Sequence, residues 1–475
     1  MRITETSEIC KIINGQLLTG TGKEKISTVC QDSRLAEKGC AFFAVTGANF
    51  DGHDYISKAV EEGATLLVIE NKEKFDQYLE TAKDFNGACI LVENTINSIR
   101  DLASWYLESL NLKKIGVTGS CGKTSTRDML YYVFSEKFKT HRNKGNFNTL
   151  VGVALTILDM PEDTEVAIFE MGMDGPGQIR EIAELVKPDM AVITNIGVSH
   201  LENFPNRDGI FNAKMEIAEF FKGGETLIAA GDDLYLNHKR LDEKLNEILK
   251  EQSEKCQIFL SRNVDESIGT NGETCEIKVK NITENSNMTV SFDIEFDKDA
   301  SHVELPVPGK HNAGNSSLAL AAGKTFGISL KEGAQGLAKM NLTGKRLLVE
   351  EGNGMQIIND TYNANPLSMK AAIDILMSSE GLGGRKIAVL GDMYELGPDE
   401  IEYHRQVGEY AMAKADVVYS VGEMSKVMGA DVHFDTKEEL MAEKSKLFKA
   451  GDTILVKASN GMKLDAVVED LLASN

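Results

Sequence analysis

What this chain lacks narrows its class before any motif is read. No C-x-x-C pair occurs: Cys10, Cys30, Cys40, Cys89, Cys121, Cys256 and Cys275 are seven, an odd number, and scattered, which speaks against a disulfide framework and for reduced thiols in the cytosol. No stretch of about 18 uncharged apolar residues is present, and Met1–Glu5 lacks the apolar core of a signal peptide. A cytoplasmic protein without membrane insertion is therefore expected, and triplets such as Asn281-Ile282-Thr283 carry no glycosylation signal. There is no excess of positive charge either. A formal net charge of −22 repels nucleic-acid backbones and anionic membranes, so any phosphate must be held locally, by backbone N–H groups, a few cations and metal. Internal repeats and low-complexity segments are absent.

The 475 residues exceed one core, and a prior of about 150 residues per domain suggests roughly three units. An apolar fraction of 42% with 26% charged residues leaves no room for long disordered tails. Short apolar runs at Ala41–Val45, Ala64–Ile69 and Cys89–Val92 alternate with helical stretches, an α/β pattern. Ile99, Leu102, Tyr106 and Leu110 then recur at helical spacing, which places a first domain at 1–98. Strands at Ile115–Thr118, Val166–Phe169, Ala191–Thr194 and Thr226–Ala230, separated by helical segments, predict a largely parallel central sheet in a domain spanning 99–340. Between Gln257 and Phe296 the alternation suggests a small antiparallel addition. A second alternating series, with strands at Gln356–Asn359, Ile387–Leu390, Val417–Val421 and Thr453–Val456, predicts a third, Rossmann-like α/β domain over 341–475.

The strongest motif is Thr118-Gly119-Ser120-Cys121-Gly122-Lys123-Thr124-Ser125, between the strand Lys114–Val117 and an apolar helical pattern at Met129, Leu130, Val133 and Phe134. Glycines permit the turn that aims successive N–H groups at an anion, the helix start adds partial positive charge, and Lys123 neutralises the outer phosphates. Thr124 is placed to ligate Mg2+. The chain is expected to bind ATP here. Three further features sit at or just after strand ends, where open parallel sheets place ligands. Glu170 closes the strand Val166–Phe169 and suits a magnesium ion. His200 follows the next strand and could complete a second metal site. Lys214 lies on a helix.

These features, with Thr194-Asn195-Ile196 before His200 and Gly309-Lys310-His311-Asn312-x-x-Asn315, resemble the Mur ligases in order and spacing over nearly the whole chain. The resemblance implies three domains: a small UDP-sugar-binding domain, a P-loop ATPase-like centre and a C-terminal domain that closes on the nucleotide. It implies that Gly119 to Ser125, Lys123 above all, hold ATP phosphates, that Thr124, Glu170 and His200 hold Mg2+, and that Lys214 is carbamylated to support a second magnesium. Asn312 and Asn315 would contact adenine, and Arg346 and Asp360 would reach ATP from the third domain. Asp32-Ser33-Arg34 and Asp51-Gly52-His53 look like the family's UDP-precursor contacts. Asp360-Thr361-Tyr362-Asn363-Ala364-Asn365-Pro366 and Gly391-Asp392-Met393-x-Glu395-Leu396-Gly397 resemble the branch that adds D-alanyl-D-alanine to UDP-N-acetylmuramoyl-tripeptide, with Tyr362, Asn363 and Asn365 near the incoming dipeptide. Two departures stand out: Lys457-Ala458-Ser459-Asn460 lacks the family's arginine, and Ala230-Gly231-Asp232 replaces its Asn-x-Asp.

Such a monomeric ligase would let the tripeptide carboxylate attack the γ-phosphate, giving an acyl phosphate and ADP, after which the dipeptide amine displaces phosphate. Charge crowding between carboxylate and triphosphate is the obstacle that Lys123 and metal would relieve. The alternatives are a sister ligase that adds the third amino acid, and an altered paralogue that only binds nucleotide or precursor.

Overall fold

Runs of apolar residues too short for helices and flanked by turn formers become buried strands, and the longer periodic segments between them become covering helices. The computed structural model describes residues 1–47, 50–81, 85–250, 254–265, 275–340 and 346–473. Its strands form sheets of nine, six, five and two strands with helices between them, the α/β class expected. By contact the chain divides into two units: one comprises Met1–Gly116, Phe138–Met171 and Arg180–Pro188, the other Val117–Lys137, Gly172–Ile179 and Asp189–Asn475.

In the first unit a five-stranded sheet runs in the order Gln16–Thr19, Ala88–Leu91, Leu66–Ile69, Cys40–Phe43, Thr28–Cys30. It is parallel except at the edge strand Gln16–Thr19. Every residue of Leu66–Ile69 and of Cys40–Phe43 is buried, as expected of strands covered on both faces. The helix Thr95–Glu108 starts where Asn94 accepts a hydrogen bond from the Asn97 N–H, and it buries Ile99, Leu102 and Tyr106 along one side. It runs through residue 98 without a break and stops before Leu110. The strand Val166–Glu170 pairs in parallel with Thr140–Arg142.

In the second unit Met190–Ile193, Thr226–Ala230, Gln257–Asn263 and Ile277–Glu284 pair in parallel succession. Val290–Phe296 and Asp299–Leu305 then continue the same sheet antiparallel. The expected antiparallel addition is thus an extension of the central sheet, and its first two strands, Gln257–Asn263 and Ile277–Glu284, join it in parallel. Gln257 pairs with Thr226, whereas strict alternation appears only later, in the buried Val290, Phe292, Ile294 and Phe296. The six-stranded sheet has the order Leu348–Gly352, Met355–Asp360, Thr453–Lys457, Lys386–Gly391, Val417–Val421, Val432–Phe434. Only Leu348–Gly352 is antiparallel. The start of the third domain, read at 341 from the sequence, lies outside the described residues.

Candidate active site

The strand Lys113–Thr118 leads into the phosphate loop, and the helix Lys123–Phe134 leads out of it. Gly122 takes the left-handed conformation at the helix N-cap, with φ 81° and no side-chain cap. That leaves the helix start available to an anion. A Cβ on Gly119 would lie 1.9 Å from Thr194 Oγ1, and one on Gly122 would lie 2.9 Å from Asn315 Oδ1, so both glycines are required by close approach as well as by backbone angle. The loop is clamped from the segment after Met190–Ile193. Ser120 N–H donates to Asn195 O at 3.1 Å, Cys121 N–H donates to Asn195 Oδ1 at 2.9 Å, and Gly197 N–H donates to Ser120 Oγ at 2.8 Å. Thr194 Oγ1 and Asn195 Nδ2 both donate to Cys121 O. Lys123 Nζ lies over the loop, donating to Gly119 O at 2.8 Å and to Ser120 O at 3.3 Å.

Lys214 sits near the end of the helix Arg207–Met215, which Asn206 caps. It is 2% exposed, and its amine makes no hydrogen bond or ion pair among the described residues. Burial pushes its pKa well below the ordinary lysine value, and the like charge of Lys123 adds to the effect against a smaller opposing influence of Cys121. A buried lysine held neutral is a nucleophile. His200 adopts a left-handed backbone conformation at φ 62°. Its Nδ1 lies 2.7 Å from Glu395 Oε2 and 3.6 Å from Asp174 Oδ1. The shorter separation lacks hydrogen-bond alignment, so buried Nδ1 has no aligned partner. This contact is the leading reason that the Glu395 carboxyl is held below its usual range.

In the first unit, Glu170 is 2% exposed at its strand end. Asn148 Nδ2 donates to Glu170 Oε1 at 2.9 Å. Asn143 brackets the Glu170 backbone, accepting from its N–H at 2.9 Å and donating to its O at 3.0 Å.

Asn312 is buried with its amide donating to Pro308 O at 2.6 Å, while Asn315 packs against the phosphate loop at Gly122. Arg346 stacks its guanidinium 3.8 Å from the centre of the Tyr362 ring. Asp360 pairs with the buried Lys457 at 2.6 Å, and the same ammonium donates to Asn363 O at 2.8 Å. Lys457→Ala would leave Asp360 unpaired in a dry setting and is expected to cost about 3–5 kcal/mol, measurable as a lowered urea midpoint.

Three family models match successive segments: "Mur ligase family, catalytic domain" over residues 25–104, "Mur ligase middle domain" over 117–323 and "Mur ligase, glutamate ligase domain" over 346–460. The chain is 36% identical, over 98% of each sequence, to the UDP-N-acetylmuramoyl-tripeptide–D-alanyl-D-alanine ligase of Bacillus subtilis. This chain belongs to the Mur ligase family. Among solved structures it is similar to MurF from Acinetobacter baumannii, with a TM-score of 0.83, 28% identity and 99% of each chain covered. It is also similar to the MurF ligase of Thermotoga maritima in complex with ADP, with a TM-score of 0.75, 27% identity and coverage of 94% of this chain and 96% of that one.

The family's polar motifs in the first unit of this Mur ligase are tied into local structure. Asp32 accepts from the Arg34 N–H at 3.0 Å and pairs with its guanidinium at 2.6 Å, while Ser33 is buried. His53 Nε2 accepts from the Glu70 and Asn71 N–H groups, each at 3.1 Å. Its Nδ1 therefore carries the proton that faces Asp51 Oδ1 at 2.6 Å. Lys74 donates to Asp51 Oδ2 at 2.8 Å. Partial burial would raise the Asp51 pKa, but the bonds from Lys74 and His53 outweigh it and leave that pKa well below the ordinary carboxylate range. A depressed folded-state pKa contributes stability that is present above the unfolded value, near 4, and is lost as pH falls through the folded one. Asp51→Asn is accordingly expected to lower Tm at pH 5–7, by an amount that shrinks below about pH 4; thermal melts across that range check it.

Several residues of this Mur ligase site escaped functional reading in the sequence. Asn143 and Asn148 hold Glu170, and Ser199 and Lys457 hold the third-domain loop. Nothing local marks Asn143 and Asn148, because each acts across a long sequence separation. Asn195, Ser199, Glu395 and Lys457 stood inside motifs or next to them but had no role until their partners were seen.

Proposed function

We propose that this Mur ligase uses ATP to join D-alanyl-D-alanine to the terminal carboxylate of UDP-N-acetylmuramoyl-tripeptide, in the cytoplasm and as a monomer. The observation that carries the proposal is the 36% identity over 98% of the chain to a ligase of that name, with Lys123, Glu170, His200 and Lys214 all in place. The three matched segments correspond on this reading to domains at 1–98, 99–340 and 341–475, the first taking the UDP precursor through Asp32, Ser33, Arg34, Asp51 and His53.

The phosphate loop receives the triphosphate, and Lys123 offsets charge at the γ-phosphate as the tripeptide carboxylate attacks it. The carboxylate oxygen becomes part of an acyl phosphate and ADP leaves. The dipeptide amine then adds to the acyl carbon, loses a proton, and expels inorganic phosphate. Asn312 and Asn315 serve the adenine side, Arg346 and Asp360 approach ATP from the third domain, and Tyr362 and Asn363 flank the dipeptide.

Mg2+ suits the donor set, since Thr124, Glu170 and His200 supply hard or borderline ligands and buried His200 Nδ1 lacks an aligned partner. When bound, magnesium would screen the charge shared by carboxylate and triphosphate. On this reading a carbamate on Lys214, an anion in place of a cation, would support a second magnesium. No helix among the described residues is long and apolar enough to cross a membrane.

The test is phosphate release with ATP, Mg2+ and the tripeptide precursor, with and without D-alanyl-D-alanine, and the product identified by mass. Dipeptide-dependent release with the pentapeptide mass is expected. Release driven instead by a single amino acid would transfer the chain to the sister activity.

A further inference from the structure

Asn365 stands where the third-domain helix Pro366–Ser378 begins, and its amide has two separate jobs. Its Oδ1 caps the helix, accepting from the Ser368 N–H at 2.9 Å. Its Nδ2 leaves the third domain altogether, donating to Cys121 Sγ in the phosphate loop at 2.8 Å and to Ser199 Oγ at 3.2 Å. The residue is 8% exposed, so both jobs are done away from water. Ser199 immediately precedes His200, and Cys121 is fixed on its other side by Thr194 and Asn195. One side chain therefore ties three segments together: the start of a third-domain helix, the nucleotide loop, and the loop that presents His200.

We propose that Asn365 is a positioning residue for the ATP half of the reaction, holding the third-domain helix against the phosphate loop, and that it is not a contact for the incoming dipeptide. The inference rests on the phosphate loop taking ATP. Its chemical basis is that an amide combines an acceptor with two donors on one planar group, and the structure uses the acceptor within the helix and the donors outside it. Aspartate and serine both cap helices well. Neither can do the second job: aspartate presents an oxygen and a negative charge to the loop that binds phosphate, and serine is too short to reach it.

Asn365→Asp and Asn365→Ser keep the helix cap and are thus expected to lower the melting temperature by no more than about a few degrees while raising KM for ATP about tenfold, the scale of one or two lost hydrogen bonds. KM for D-alanyl-D-alanine should stay within about twofold of wild type on the same reasoning. Cys121→Ala should produce part of the same ATP effect, and combining it with Asn365→Ser should add less than the sum, because both remove one contact. A rise in dipeptide KM with ATP KM unchanged would overturn the inference in favour of a dipeptide contact. Additive effects of the two substitutions would overturn the link to Cys121. Failure of the wild-type chain to bind an ATP analogue in calorimetry would instead remove the reading on which the inference rests.

Discussion

Lys214→Met is expected to reduce turnover by about 10³-fold or more, the scale seen when a preorganised electrostatic group is removed, while the melting temperature holds or rises. The two halves of this result have different origins. A buried ammonium with no acceptor among the described residues is costly, and methionine fills similar volume with no charge to desolvate. A residue retained for stability would behave in the opposite way. Activity should fall because the neutral amine is the species that adds to carbon dioxide: the nitrogen lone pair forms the N–C bond, a proton leaves, and a carbamate anion replaces a cation. Burial and the charge of Lys123 favour the neutral form. With ¹³C-bicarbonate the wild-type chain should show a carbamate resonance that the variant lacks. Full activity in the variant, or no such resonance in an active wild type, would remove carbamylation from the mechanism.

The fold was legible where periodicity and turn chemistry agree. The strand Lys113–Thr118, the glycine loop and the helix Lys123–Phe134 follow from adjacent residues, because each step is local. The parallel strands read from Ala191 and Thr226 emerge as Met190–Ile193 and Thr226–Ala230, since strands with buried centres announce themselves as short apolar runs. The edges were not legible. Leu348–Gly352 and Val432–Phe434 lie at opposite ends of the six-stranded sheet, and their half-exposed, polar-interrupted sequences carry little pattern. The parallel start of the Gln257–Phe296 segment was missed for a related reason: strand direction depends on the register with Thr226–Ala230, which no local pattern encodes.

Site legibility followed the same division. Lys123 declared itself through its neighbours in sequence, whereas Lys214 and His200 were marked only by their place at or after strand ends and took definite roles through the resemblance. What the structure adds is cause. Thr194 and Asn195 brace the phosphate loop, so a strand-end motif becomes a clamp. The Asp51–His53 motif closes a polar link to Glu70, Asn71 and Lys74, which makes its first effect structural. The missing arginine after Ser459 leaves Lys457 intact, and that lysine anchors Asp360 and Asn363. The departure therefore spares the part of the motif that shapes the third-domain loop.

Lys123→Met should be the other severe variant, with kcat/KM lowered about 10³–10⁴-fold, equivalent to about 4–5.5 kcal/mol of lost transition-state stabilisation. Its Nζ lies over the phosphate loop, held by Gly119 O and Ser120 O, and on the proposed reading its charge offsets the charge that develops at the γ-phosphate. A second consequence distinguishes this lysine from a generic phosphate contact. Lys123 is the larger of the two charge influences on Lys214, and it acts to lower that pKa. Removing its charge should let the Lys214 pKa rise toward the ordinary value, although burial, the leading cause, keeps it below. Less amine is then neutral at a given pH, so the carbamate resonance should need a more alkaline solution to reach half intensity in Lys123→Met than in wild type. A midpoint that stayed put or moved to lower pH would show that the two lysines are not electrostatically coupled, and Lys123 would then act on ATP alone.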